Sequence, residues 1–306
     1  MSRVLVTGGC GFIGAALVKR LVAAGEDVFV LDNASRGNYC RVQDAVILDR
    51  RMIGDVRVDH EVRSVVLGMD EVIHMASVNG TKNFYEKPAE VLDVGLRGIC
   101  NVVTSCIDHR VKKLMVISSS EVYQTPPKIP TDETVPYSVP DPFNPRYSYA
   151  VQKIASEMVA IHNAKHFDNL IIVRPHNIYG PDAGEEHIIP RLMRNSDNFH
   201  AGNETRAFCY IDDAVDGLML LREKGEHKNI YNLGNDDEIR IDYLAHKIML
   251  LSDHNLQFNS SSHMFDGGTV RRCPDITKIR KLGFLPKVSL REGLQRTMKW
   301  YQENPR

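Results

Sequence analysis

Thr7-Gly-Gly-Cys-Gly-Phe-Ile-Gly14 decides the fold of this chain. It follows Val4-Leu5-Val6, an apolar run that reads as a buried strand. It leads into Ala15-Ala-Leu-Val-Lys-Arg-Leu21, which reads as a helix. Between strand and helix, glycines at 8, 11 and 14 have separate tasks. The first permits a tight turn, the second lets backbone approach a pyrophosphate, and the third lets helix and strand pack closely. Phosphate charge then sits at the helix N-terminus, beside Phe12 and Ile13. A glycine-rich turn without a ligand is the competing reading of the spacing alone. With a strand predicted to begin near Arg3, no signal or transit peptide is expected ahead of it.

Asp32 closes the next apolar run, Val28-Phe-Val-Leu31. A carboxylate at the end of a second strand accepts hydrogen bonds from ribose hydroxyls and repels a 2′-phosphate. NAD is therefore expected over NADP, with Asn33 beside the acid. Arg36 is the complication, since a nearby guanidinium could accommodate that phosphate.

Outward from this unit, strand-like and helix-like segments alternate. Strands are predicted at 3–7, 27–32, 45–48, 71–75, 113–119 and 169–174, and helices near 12–24, 58–68, 88–109 and 146–166. The alternation predicts an α/β fold of Rossmann type, a doubly wound parallel sheet with helices on both faces. After Arg174-Pro175 the turns become denser, at Gly180-Pro181, Gly184, Gly202 and Gly267-Gly268. Helices are predicted there near 187–195, 212–222, 241–251 and 289–303. Residues 1–174 then form a dinucleotide-binding domain, with a return near 207–235. Residues 175–306 form a smaller α/β lid that mainly binds substrate. The proline-rich stretch 124–145 is expected to be an ordered loop bordering the site.

Composition narrows the class. With 306 residues the chain is long enough for a sizeable core. Its net charge of −1 offers no basis for a nucleic-acid or membrane surface. No apolar run reaches the roughly eighteen residues a bilayer span requires. The six cysteines are scattered without metal-site spacing. They read as reduced thiols of a cytoplasmic protein, with no metal site and no disulfide framework. Cys10, in the glycine loop, reads as small filler.

Tyr149-Ala-Val-Gln-Lys153 places a phenol and an ammonium on one helical face. The ammonium is expected to lower the phenol's pKa, so that Tyr149 takes a proton from a substrate hydroxyl while hydride leaves. By itself this spacing is also common on solvated helices. Ser118-Ser-Ser-Glu-Val-Tyr123 follows a predicted central strand, where side chains face the cofactor crevice. Ser119 could share the substrate proton there, or merely cap a turn. Glu121 could act as a second acid or base, or face solvent. His74 reads as a packed strand-end histidine.

The combination resembles the extended short-chain dehydrogenase/reductase family, in its nucleotide-sugar epimerase and dehydratase branch. The resemblance covers essentially the whole chain. It rests on Thr7–Gly14, Asp32, Gly54-Asp-Val56, His74-Met-Ala-Ser77, Ser118–Tyr123, Tyr149–Lys153, Arg174-Pro-His-Asn-Ile-Tyr-Gly-Pro181, Thr205–Asp213, Tyr231-Asn-Leu-Gly234 and Arg271-Arg-Cys-Pro-Asp275. It implies that Asp55 and Val56 contact the adenine and that Ala76 and Ser77 lie along the cofactor diphosphate. Ser119, Tyr149 and Lys153 form the catalytic triad, and Lys153 also reaches the nicotinamide ribose. Asn177, Arg206 and one of Arg271 or Arg272 hold the substrate diphosphate, with Ser120 beside the sugar. NAD is implied as a tightly bound, recycled group.

Glu121 is similar to the residue that 4,6-dehydratases and UDP-glucuronate decarboxylases carry, where many 4-epimerases have a small residue. A lyase outcome is therefore expected after oxidation of the sugar C4 hydroxyl. 4-Epimerisation, reduction and a non-catalytic dinucleotide sensor are the alternatives, and a UDP-sugar is favoured as substrate. Two positions depart from the family pattern. Gly95 stands where an asparagine is usual, in Gly95-Leu-Arg-Gly98, and Gln124 replaces a glycine. Helices 88–109 and 146–166 carry apolar residues on more than one face: Val91, Leu92, Leu96, Ile99, Val102 and Val103, then Ile154, Met158 and Ile161. A homodimer paired through these helices is expected.

Overall fold

The computed structural model describes residues 1–184, 187–194, 199–200, 204–251, 258–259 and 268–304. Six strands follow in chain order: β1 (Arg3–Thr7), β2 (Asp27–Asp32), β3 (Arg51–Ile53), β4 (Glu71–His74), β5 (Lys113–Ile117) and β6 (Asn169–Pro175). The strand Asn229–Leu233 joins β6 in parallel, and the seven-stranded order runs from it through β6, β5, β4, β1 and β2 to β3. All pairings in this sheet are parallel.

Both faces of the sheet are covered, which is why the strands are apolar without alternation. Side chains of β1 nonetheless divide between the faces. Val4 and Val6 enter one core with Leu17 and Leu21 of α1 (Phe12–Ala23) and Leu218 of the helix Ile211–Lys224. Leu5 enters the other with Val62 of α2 (Asp59–Val66), Val102 of α4 (Pro88–Asp108) and Ala160 of α5 (Ser148–His162). A short helix α3 (Thr81–Glu86) precedes α4. The glycine loop, the end of β2 and the turn after β5 thus gather at the carboxyl edge of the sheet.

One strand lies elsewhere than its apolar run suggests. Residues 45–48 do not pair; Arg51–Ile53 meet Val30–Asp32 instead. Of the run, Val46 is buried against the core while Ile47 and Leu48 are exposed. The true strand sits at a sheet edge and is partly polar, so its burial signature is weak. Other elements differ from expectation by a few residues, as in α5, which is flanked by short helical turns at Pro145–Tyr147 and Ala164–His166.

Beyond Pro175, Thr205–Ala207 pairs antiparallel with Glu238–Arg240 and parallel with Arg271–Arg272. Ile178–Tyr179 pairs with Cys209–Tyr210. Helices Ile188–Met193, Ile241–Leu251 and Leu290–Glu303 complete the smaller part. The expected turns at Gly202 and Gly267, and residue 195 of an expected helix, lie outside the described residues.

The stretch 124–145 is ordered: Thr131 N–H donates to the Cys273 carbonyl at 2.9 Å and Ser138 N–H to Val122 at 3.0 Å. The core absorbs Val91, Ile99, Val102 and Val103, whereas Leu96 and Met158 stay exposed. Among the described residues, no helix is long and apolar enough to cross a membrane.

Candidate active site

The loop after β1 is shaped by contacts that only glycine permits. Gly8 has φ +72°, and a Cβ there would lie 2.8 Å from the Ala76 nitrogen. A Cβ on Gly14 would strike the Gly8 carbonyl and come within 2.9 Å of Gly9 Cα. Gly11 begins α1 without a side-chain cap. The first N–H groups of the helix, at Phe12 and Ile13, therefore suit an anion. Ala76 follows β4 beside this loop, where its N–H donates to Thr7 Oγ1 at 3.3 Å.

Asp32 stands at the end of β2 and accepts from Cys10 N–H at 2.9 Å and Ala34 N–H at 2.8 Å. Burial raises its carboxyl, and these two donors oppose the rise. Asn33 Nδ2 donates to Asp55 at 3.1 Å, and Arg57 pairs with the same carboxylate at 2.7 Å. The Val56 carbonyl is held by Asn101 Nδ2 at 2.9 Å. The Arg36 guanidinium donates to the Asn79 carbonyl. Glycine loop, unpaired helix start and strand-end carboxylate together fit a dinucleotide.

Cys10 and His74 behave as packing groups. Burial pushes the Cys10 thiol up to about 12, beside Asp32. Thr7 Oγ1 accepts N–H donors from Met75 and Ala76, which leaves its own proton for His74 Nδ1 at 2.8 Å. Burial lowers His74 to about 3, with Lys153 adding, so the ring is a neutral acceptor.

Tyr149 and Lys153 lie one turn apart on α5, and both are buried. Phe84 stacks on the phenol with ring centres 4.7 Å apart. Ser119 caps the turn after β5 by accepting Glu121 N–H at 3.2 Å. On balance the phenol is raised rather than lowered. Burial raises it, Glu121 adds to the rise, and Ser119, Arg36 and Ser77 oppose it. The ammonium is directed instead to the Ile117 carbonyl at 2.7 Å, and burial lowers it to about 8.

Glu121 is gripped by arginines. Its Oε1 meets Arg272 at 2.8 Å and Arg146 at 3.5 Å, while Gln124 Nε2 reaches Oε2 at 3.3 Å. Burial pushes the carboxyl up, but Arg272, Arg146 and Arg206 outweigh it and hold Glu121 at about 2. The guanidinium groups thus favour the ionised form of Glu121.

Arg206 donates to the carbonyls of Thr205 and Thr269 at 2.8 and 2.6 Å, and burial lowers it to about 10. Arg271 is exposed and pairs with Glu238 at 2.6 Å, so the structure brings Arg272 to this cluster and leaves Arg271 outside it. Ser120 is buried in the same turn. Asn177, at φ +44°, donates to the Ala207 carbonyl at 2.9 Å. Arg146 and Gln152 escaped sequence reasoning. A cation three residues before the tyrosine was the available sign of the first.

A parallel sheet carrying a glycine loop, a strand-end acid, a half-buried Ser119 and a buried Tyr149 and Lys153 is the arrangement of a dinucleotide-dependent enzyme. The profile of the NAD dependent epimerase/dehydratase family matches residues 4–234. The chain belongs to that family, whose members modify nucleotide sugars using NAD. It is 30% identical to the UDP-N-acetyl-alpha-D-glucosaminuronate decarboxylase of Bacillus cytotoxicus, over 98% of each chain. The dTDP-glucose 4,6-dehydratase DesIV of Streptomyces venezuelae, solved as a double mutant with NAD and DAU, superposes with a TM-score of 0.88. That likeness has 26% identity and covers 99% of this chain and 97% of the other. The UDP-glucose 4-epimerase of Thermus thermophilus, solved with NAD, gives a TM-score of 0.87 at 25% identity over 99% of both chains.

Proposed function

We propose that this enzyme oxidises the C4 hydroxyl of a UDP-sugar whose C6 is a carboxylate, and releases that carboxylate as carbon dioxide. The observation that carries this reading is the Glu121 cluster, in which Arg272 and Arg146 meet one carboxylate and Arg206 stands close behind. Three guanidinium groups against one carboxylate leave cationic surplus for an anionic sugar as well as a diphosphate. The likeness to a glucosaminuronate decarboxylase agrees with it.

Each residue then has a task. Gly8, Gly11, Gly14, Phe12 and Ile13 hold the cofactor diphosphate, and Ala76 borders it. Asp32 and Asn33 take the ribose; Asp55 and Val56 border the adenine. Bound NAD supplies a hydride acceptor that later returns the hydride. Tyr149 takes the C4 hydroxyl proton with help from Ser119, and Lys153 lends positive charge. The C4 ketone draws the C5–C6 bonding electrons toward its oxygen as carbon dioxide departs; a proton then returns to C5. Arg206, Arg272 and Asn177 hold the substrate diphosphate, Ser120 lies beside the sugar, and Arg146 orients the C6 carboxylate. Glu121 keeps the guanidinium groups partly neutralised, so the sugar carboxylate is oriented without being trapped as a full ion pair.

Dehydration suits this cluster less well. It needs a base at C5 and an acid for the leaving C6 hydroxyl, and the guanidinium groups favour the ionised form of Glu121. 4-Epimerisation is the second reading, favoured by the superposition on a 4-epimerase and by needing only Ser119, Tyr149 and Lys153. Residues 1–174 with the return strand would bind the dinucleotide and 175–306 mainly the nucleotide sugar. The exposed Leu96 and Met158 support pairing of two copies through α4 and α5.

The test is mass spectrometry of products from UDP-glucuronate, UDP-N-acetylglucosaminuronate, dTDP-glucose and UDP-glucose. Loss of carbon dioxide from a uronate supports the proposal. Loss of water from dTDP-glucose, or an isomer of unchanged mass, overturns it.

A further inference from the structure

Gly95 lies in the middle of α4, buried where α4 meets α5. A Cβ built there would fall inside the envelope of the Gln152 Oε1 and lie 2.6 Å from both Cβ and Cδ of that side chain. The room beside residue 95 is therefore filled by an amide from the facing helix. Gln152 immediately precedes Lys153 and is 1% exposed. Its Nε2 donates to Ser77 Oγ at 2.9 Å. Ser77 is in turn one of the groups that lower the Tyr149 phenol against its burial. The missing asparagine at 95 and the glutamine at 152 are thus two halves of one arrangement.

We propose that Gln152, seated over Gly95, is a positioning residue that fixes Ser77 as a hydrogen-bond donor to Tyr149. The logic is one of donors and acceptors. An amide N–H has only its proton to offer, so Ser77 Oγ must accept from Gln152. The Ser77 proton is then left for the phenol oxygen. A donor on that oxygen favours its ionised form, which is the form that takes the substrate proton. Ser77, expected along the cofactor diphosphate, joins the tyrosine's own hydrogen-bond set. The inference rests on Tyr149 being the base, as proposed above.

The experiment uses NAD-loaded protein with tyrosines isotopically labelled at Cζ. Loss of one resonance in Tyr149→Phe assigns the phenol, whose shift reports ionisation and hydrogen bonding without turnover. Gln152→Ala is expected to move that resonance and raise the pH at which it titrates. Ser77→Ala should do the same, and the double variant should move it no further. A Tyr149 resonance indifferent to Gln152→Ala, or additive effects of the two changes, would overturn the proposal.

Thermal unfolding checks the seating. Gly95→Asn alone should destabilise, and Gly95→Asn with Gln152→Ser should recover most of the loss. Tolerance of Gly95→Asn beside the native glutamine would also overturn it. With a sugar that turns over, Gln152→Ala should lower kcat roughly tenfold, the low end of acid–base contributions, with KM little changed. Failure of every sugar in the panel would count against the proposed function, while the labelled phenol still decides the role of Gln152.

Discussion

The ammonium of Lys153 stands 5.7 Å from the centre of the Tyr149 ring and donates to the Ile117 carbonyl at 2.7 Å. The lysine is thus anchored to the end of β5 while facing the phenol one helical turn away. Its charge reaches the phenol through space, and that charge depends on pH.

Burial lowers Lys153 to about 8. Below that pH the ammonium is charged and supports a phenolate; above it the support disappears. Turnover is expected to fall as pH rises through about 8. A pH profile of kcat checks this. In Lys153→Arg, whose group stays charged, any residual activity should lack that alkaline limb.

Tyr149→Phe removes the proton acceptor and keeps the ring stacked on Phe84. The loss in kcat should be on the order of a thousandfold, within the usual range for acid–base groups. Bound NAD, measured after denaturation of the purified protein, should be unchanged. Retained turnover would require a different base.

Glu121→Gln removes the counter-charge of Arg272 and Arg146, whose side chains are only about a tenth exposed. Stability should fall by about 3 kcal/mol, the lower end for breaking a buried pair. Urea unfolding measures it. Glu121→Gln combined with Arg272→Met should lose less than Glu121→Gln alone.

His74 and His176 are both buried and lowered to about 3. Their folded values lie below the unfolded value near 6.5, so their contribution is fully present above about pH 6.5. It is lost as pH falls from there toward 3, by at most about 1.4 kcal/mol per pH unit for each ring. Urea midpoints should decline on acidification over that range, and less so in His74→Gln. A flat profile would mean the rings protonate within the folded protein.

Much of this was readable in advance because local chemistry forced it. Glycines 8 and 14 cannot be replaced without backbone collision, and a Tyr-x-x-x-Lys spacing must place both groups on one helical face. The edge strand Arg51–Ile53 was hidden because edge strands need not be apolar, whereas Val46 mimicked a strand by burying one residue of a turn. The state of Glu121 was invisible for a different reason. Its two arginines come from positions 146 and 272, and nothing local links them to residue 121. Choosing Arg272 over Arg271 likewise required the strand register that turns one toward Glu121 and the other toward Glu238. Gly95 could be recognised as unusual, but its compensation lay on another helix.

The strand Asn229–Leu233 completes the sheet from the far end of the chain, along the flank of β6. A fragment cut after Pro175 would expose the backbone of Ile171–Pro175 as a bare, apolar margin. Such a piece has the means to stack on copies of itself instead of standing alone. The sheet begun by the first 175 residues is therefore sealed only by chain that is synthesised after it, in the last third of the protein.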